Sequence, residues 1–338
     1  MLKIGTSSIT KADGSLDEPV MVEVARQVAR LHKAYNFVIV SSGAVGTGKG
    51  FLKKYSGSIS ERKAAAAIGN PLLINKYAQF FSPYGIPIAQ SLCERQHFSK
   101  RRQFLQLRDT FEELWANGII PIANENDVVS NLELRFSDND ELATLIAVGF
   151  GAACLLLGTA VPGVYDRAGK IIDRFTQIDA SVMRLARKET STDGLGGMVS
   201  KLTFARLATR MGIKVIIFGI RTLNGIELAT QEKTGTLCDA QTSSLSARNK
   251  WLASGSLVSG RVKVDSGAYR AIKNRKSLLA VGIQDVSGSF SGGEVFEIVS
   301  EDDIPFAVAR AKLSSQEVIN KLNHQNVEVA HADDIVLF

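Results

Sequence analysis

Short apolar runs that end abruptly in polar or glycine-rich turns recur along most of the chain, and this pattern constrains the fold more than any other feature. Lys3-Ile4 leads into Gly5-Thr6-Ser7-Ser8, Phe37–Val40 into Ser41–Gly48, Ile119–Ala123 into Asn124-Glu125-Asn126-Asp127, and Ala153–Leu157 into Gly158-Thr159. Between the runs lie segments of helical character, among them Val20–Tyr35, with apolar residues at Val20, Val24, Val28 and Leu31, and Arg101–Asn117. Such strand–helix alternation predicts an α/β fold, an open and mainly parallel sheet sandwiched by helices. Open sheets of this kind hold ligands at the carboxyl ends of their strands. The polar turns are therefore the candidate site.

Local expectations follow from the same reading. Glu61–Phe81 is helical in character but broken around Gly69-Asn70-Pro71, because proline disfavours helix in the residue before it. Ser41–Gly48 reads as a glycine-rich turn, Leu132–Phe136 as hairpin-like, and Glu141–Phe150 as a helix after a second polar cluster, Asp138, Asn139 and Asp140. Thr192–Lys201 carries Gly194, Gly196 and Gly197 just before a helix Leu202–Met211, and Lys201 closes that stretch. Glycines at a helix start with a lysine close by suit a phosphate.

A chain of 338 residues is too long for one ordinary core, which predicts two domains. The strand–helix pattern stops after Cys238. Residues 1–242 form the expected α/β domain, 243–256 a polar linker holding Trp251, and 257–338 a small β-rich domain with one or two helices.

Composition excludes several classes. With 45% hydrophobic and 22% charged residues the chain is ordinary for a globular protein, and no apolar run reaches the length of a membrane span. Three scattered cysteines, Cys93, Cys154 and Cys238, read as reduced thiols, and the four histidines lack metal-ligand spacing, so a cytoplasmic protein is expected. The net charge of +6 is unevenly shared: residues 257–338 hold nine Lys/Arg and eleven Asp/Glu, a balance of −2, which leaves +8 for the rest. An acidic tail is a weak candidate for binding RNA, which makes nucleic acid an unlikely partner, while the basic remainder could serve nucleic acid or an anionic small molecule such as ATP.

The polar turns contain neither histidine nor cysteine, so an activated serine or thiol nucleophile is poorly supported. Two lysines, Lys3 and Lys201, with glycine-rich turns suit transfer of a phosphoryl group, a reaction governed by positioning and charge neutralisation. A carboxylate acceptor is ionised at neutral pH and needs no general base. The amides and carboxylates around Asn124–Asp127 and Asp138–Asp140 suit a small polar substrate carrying an amino group.

Lys3–Ser8, Val40–Gly43, Arg108–Thr110, Ile122–Asp127, Asp138–Asp140 and Gly196–Lys201, taken in that order, resemble the amino acid kinase family and its glutamate 5-kinase members. The tail, with Gly282-Ile283, Val286-Ser287-Gly288, Phe290-Ser291 and Gly292–Val295, resembles the PUA domain appended to many of those enzymes. The resemblance implies ATP-dependent phosphorylation of the glutamate side-chain carboxylate to glutamyl 5-phosphate, the first step of proline synthesis. It places glutamate on Ser42, Asn124, Asp127 and Asn139, and catalysis on Lys3, Lys201 and Asp140, the last holding the lysines. It places ATP on Lys3, Gly5, Thr6, Ser7, Thr159 and the stretch Leu195, Gly196, Gly197, Met198, Val199, Ser200 and Lys201, with Mg²⁺ on the phosphates. It also implies a homo-oligomer, often a tetramer, and proline as feedback inhibitor. Two positions depart from the family pattern: Ala160 follows Thr159 where aspartate is usual, and Leu195 stands where a small or hydroxyl residue is common. Other acceptors of the same family, aspartate, N-acetylglutamate or a nucleoside monophosphate, are the near alternatives. An RNA-binding protein, or a regulator with a degenerate kinase domain, are the distant ones.

Overall fold

The computed structural model describes residues 1–11, 15–99, 101–129, 139–186, 197–241, 258–322 and 324–337. The chain divides into two compact units, one of Met1–Glu94 with Gln106–Ser243, the other of Arg95–Leu105 with Ser244–Phe338.

In the first unit the strands are β1 (Leu2–Ile4), β2 (Ile39–Ser41), β3 (Ile88–Cys93), β4 (Ile120–Glu125), β5 (Cys154–Thr159), β6 (Arg174–Phe175), β7 (Lys214–Gly219) and β8 (Thr236–Cys238). They form one sheet in the order β3-β4-β2-β1-β5-β7-β8-β6, parallel except between β7 and β8. The short apolar start of the chain is thus a central strand, with Lys3 registered against Val40 on one side and Leu157 on the other. Strands covered on both faces read as continuous apolar runs, and β2, β4 and β1 are buried along their whole lengths.

The helices, in chain order, are α1 (Thr6–Ile9), α2 (Glu18–Leu31), α3 (Ala44–Lys49), α4 (Ile59–Phe81), α5 (Gln96–Ser99), α6 (Arg101–Ala116), α7 (Asn139–Gly149), α8 (Ala180–Ala186), α9 (Met198–Arg210) and α10 (Gly225–Thr230); α5 and the first residues of α6 belong to the second unit, and the others lie on the two faces of the sheet. Alternate strand residues point to opposite faces. Leu2, Ile4, Ile39, Ile122, Leu156 and Ile216 meet α2, α4 and α10 through Val24, Val28, Leu73, Tyr77 and Ile226. Lys3 lies on the other face, where α7 packs on β1, β2, β4 and β5 and against α9.

Three expectations change. Ser41–Gly48 is not simply a turn, because Ala44–Lys49 is helical after Gly43 turns the chain at φ 109°. β4 runs on to Glu125, so Asn124 and Glu125 are strand residues and buried rather than loop residues after the strand. α4 is continuous from Ile59 to Phe81 with Pro71 inside it. Proline removes the hydrogen bond to the carbonyl four residues back, here that of Ala67, and both Ala67 and Pro71 are exposed, so the loss falls on the solvent side of the helix. Ser58 and Glu61 form a capping box that starts the helix. At Gly48 and Gly69 the backbones of α3 and α4 cross so closely that a Cβ on Gly69 would fall 1.8 Å from the Ala44 carbonyl oxygen. The hairpin-like 132–136, Asp138, Leu195, Gly196 and the segment holding Trp251 lie outside the described residues.

The second unit has a five-stranded sheet, β11-β9-β12-β13-β15, and a pair β10-β14, where β9 is Val258–Val264, β10 Leu278–Leu279, β11 Ile283–Gly288, β12 Val295–Val299, β13 Pro305–Arg310, β14 Glu328–Ala330 and β15 Ile335–Leu337. Helices Ser266–Lys273 and Ser315–Asn320 complete it, and Phe290, Phe296, Ile298 and Val318 belong to a core of its own.

Candidate active site

Asp140, in the first turn of α7, is fully buried and lies between two lysines. Its Oδ1 is 2.5 Å from Lys3 Nζ and its Oδ2 is 3.1 Å from Lys201 Nζ. Lys3 reaches it from the central strand and Lys201 from the first turn of α9, and both lysines are buried. Burial is the largest influence on the Asp140 carboxyl and pushes it upward, but the Lys3 and Lys201 ammonium groups together outweigh burial and hold it below its ordinary value. A carboxylate at a helix N-terminus is favoured by the helix dipole, a lysine there is not. Lys201 is tolerated because Asp140 faces it. Two ammonium groups share one carboxylate, so the trio keeps a net positive charge in a buried place, which suits an anion arriving between the lysines.

A row of amides lies beside the trio. Asn139 Nδ2 donates to Ser42 Oγ at 2.8 Å and to Asn124 Oδ1 at 2.9 Å, and lies 3.3 Å from the Ser41 carbonyl oxygen. Asn124 Oδ1 also accepts from the Glu125 backbone N–H at 2.9 Å, and Asn124 Nδ2 donates to Asn70 Oδ1 at 3.1 Å. Ser41 Oγ pairs with Tyr77 Oη at 2.8 Å and donates to the Ser42 carbonyl at 3.0 Å. Burial pushes the Tyr77 hydroxyl up to about 12, so it stays neutral. Ser42, Asn124 and Asn139, distant in sequence, are therefore brought together. Asp127 is half-buried, three residues beyond Asn124. What Asn139 leaves without a partner is its acceptor Oδ1.

The expected nucleotide residues are dispersed over β1, β5 and α9. Gly5 follows β1, and a Cβ placed on it would lie 3.7 Å from Lys3 Nζ, so glycine keeps the approach to that ammonium open. Thr6 and Ser7 are exposed on α1, whereas Ser8 is buried with its hydroxyl unpartnered. Thr159, buried at the end of β5, spends its hydroxyl on Val161, accepting from its N–H at 3.0 Å. Gly197 caps α9 in an extended conformation, with Met198 buried, Ser200 half-buried and Val199 exposed.

The amino acid kinase family profile matches residues 1–219, and the PUA domain profile residues 260–332. A glutamate 5-kinase of Kosmotoga olearia is 37% identical over 323 residues, spanning 92% of this chain and 89% of its own. That of Proteus mirabilis is 36% identical over 360 residues, spanning 100% of this chain and 98% of its own. A solved isopentenyl phosphate kinase, 18% identical, superposes with a TM-score of 0.50 over 70% of this chain and 98% of that one, and shares the fold. This chain belongs to the amino acid kinase family.

Sequence reasoning missed three residues of the candidate site of this amino acid kinase. Asn70 sits in a stretch whose proline suggested a break, and nothing in its neighbours marks it as polar lining. Tyr77 follows it by seven residues, two helical turns on the same face of α4, a spacing that a continuous helix would have revealed. Ser8 was within the recognised turn but not singled out.

Proposed function

We infer that the chain is an ATP-dependent glutamate 5-kinase, moving the terminal phosphoryl group of ATP to the side-chain carboxylate of glutamate to give glutamyl 5-phosphate and ADP, the entry step of proline synthesis. The observation that carries this is the buried Lys3–Asp140–Lys201 trio within a chain whose relatives over its full length are glutamate 5-kinases. The glutamate carboxylate attacks as it is, already ionised. Lys3 and Lys201 neutralise charge on the transferring group, and Asp140 keeps the two ammonium groups in place. Asp127 pairs with the substrate ammonium, and Ser42, Asn124 and Asn139 orient the amino acid. Gly5, Thr6, Ser7, Thr159 and the stretch Leu195–Lys201 line the ATP. Mg²⁺, when bound with ATP, would supply charge neutralisation on the phosphates. Among the described residues no three His, Cys, Asp or Glu side chains cluster for a metal, so the fit is to an ion carried by the phosphate oxygens.

The family likeness further suggests proline as an inhibitor at or overlapping the glutamate site, a homo-oligomer, and a cytoplasmic location; among the described residues no helix is long and apolar enough to cross a membrane. We assign the chemistry to residues 1–242, with 243–256 as linker and 257–338 as the PUA-like domain.

Trapping the acyl phosphate as hydroxamate, with ATP and glutamate, aspartate or N-acetylglutamate, tests the substrate. Glutamate is expected to give the signal; product with N-acetylglutamate alone would refute the assignment. Lys3→Ala and Lys201→Ala are each expected to abolish hydroxamate with glutamate binding largely kept, and near-normal turnover in either would sink the lysine roles.

A further inference from the structure

We propose that Asn70 is a positioning residue for the amino-acid site, holding the α4 end of the Asn124 amide so that the row keeps the direction in which Asn139 offers the substrate a hydrogen-bond acceptor. This rests on the glutamate reading above and deepens it.

An asparagine amide has a donor end and an acceptor end, so a row of them has a direction. Two backbone groups fix that direction here. The Glu125 N–H can only donate, so the Asn124 oxygen faces it, at 2.9 Å. The Ser41 carbonyl can only accept, so the Asn139 nitrogen faces it, at 3.3 Å. Asn124 must then turn its NH₂ to α4, where Asn70 Oδ1 receives it at 3.1 Å. Asn70 is 5% exposed, so the acceptor that Asn124 meets there is a buried one. With its oxygen fixed at β4 and its nitrogen fixed at α4, the Asn124 amide plane is held at both ends. Asn139 then has no choice but to give its nitrogen to Ser42 and Asn124 and to leave its oxygen over. An acceptor oxygen suits an ammonium group, which a free amino acid has and an N-acylated one lacks.

Asn70 itself is placed by the close crossing at Gly69, its neighbour, and Gly48. Tyr77, two turns on, braces Ser41 from the same face of α4. α4 thus steadies the site at two points while touching neither lysine in any described hydrogen bond.

The test compares Asn70→Ala, Asn70→Gln and wild type in the hydroxamate assay. N70A is expected to raise the KM for glutamate tenfold or more, with the KM for ATP within twofold, and to narrow the preference for glutamate over N-acetylglutamate. N70Q, which restores an amide oxygen, is expected to recover at least half of the lost affinity. An N70A enzyme with unchanged glutamate KM, or with glutamate and ATP KM raised alike, overturns the proposal. Should N70A melt too low to assay, N70S takes its place, since its hydroxyl stops short of Asn124, and the same split is read. A wild-type chain that makes no hydroxamate from glutamate would instead defeat the functional reading on which the proposal stands.

Discussion

Asp140 is the residue on which the site's electrostatics turn. Removing one member of a buried ion pair leaves an uncompensated charge and costs about 3–5 kcal/mol. Asp140→Asn leaves two buried ammonium groups, Lys3 and Lys201, facing an uncharged amide. The expected result is a stability loss of that size in urea titrations and a fall in turnover of about a hundredfold or more, about 2.7 kcal/mol of barrier. The pH dependence has a definite sign. The folded carboxyl titrates below its ordinary value of 3.8, so its stabilisation is fully present above that value and is lost as pH falls through the lower folded value. The stability gap between wild type and D140N is therefore expected to stay level from about pH 7 to about pH 5 and to close below about pH 4; a gap that closes nearer neutrality would assign it to another group. The three thiols play no comparable part. Burial pushes Cys93 and Cys154 up to about 11 and Cys238 to about 12, so none is a nucleophile at neutral pH.

At the scale of elements, α3 and α4 carry information that neither shows alone. Gly48 and Gly69 have ordinary backbone conformations, so their glycine identity comes from contact and not from φ. A Cβ on Gly48 would fall 1.9 Å from the Ala65 carbonyl oxygen. Gly69→Ala is expected to cost about 3 kcal/mol or more in denaturant titration, since backbone atoms have to move apart. Gly50→Ala, at an open right-handed position with nothing within 4 Å, is the control, expected to be neutral or to stabilise by about 0.5 kcal/mol. Equal melting temperatures for G69A and G50A would contradict the close crossing. The helices of the sheet layers were legible from periodicity, as Val20, Val24 and Val28 show for α2. The continuity of α4 was not, because the penalty at Pro71 is local while the packing that overrides it comes from α2, α3 and the sheet face.

At the scale of the whole molecule, one hydrophobic cluster of the described residues gathers around Leu2, Ile39 and Leu156 in the first unit, and another around Phe290, Phe296 and Ile298 in the second. Two transitions are expected in calorimetry. Glutamate at about a hundred times its Kd is expected to stabilise one of them by about 2.7 kcal/mol and leave the other in place; a single transition that moves as a whole would show that the units unfold together. The charge balance of residues 257–338, nine basic against eleven acidic, belongs to this scale too. It predicts that residues 257–338 add no RNA affinity: deleting them is expected not to weaken retention of the chain on structured RNA at low salt, and a loss of salt-sensitive retention on deletion would overturn that.

From the sequence alone came the α/β class, the change of pattern near Cys238, the PUA-like tail, and the membership of Lys3, Asp140, Lys201, Ser42, Asn124 and Asn139 in a candidate site. These follow from periodicity, from residue type at strand ends and from motif order, all of which are one-dimensional. Tertiary structure decided how those residues are used. The sequence places Asn139 on a substrate as an amide with both ends free. Only packing shows that Ser41, Ser42 and Asn124 consume its nitrogen and leave the oxygen. Asn70 enters the site solely because a helix with a proline inside it lies against a strand fifty-four positions away in the chain. Hydrogen-bond direction depends on which groups meet, and meeting is a property of the fold.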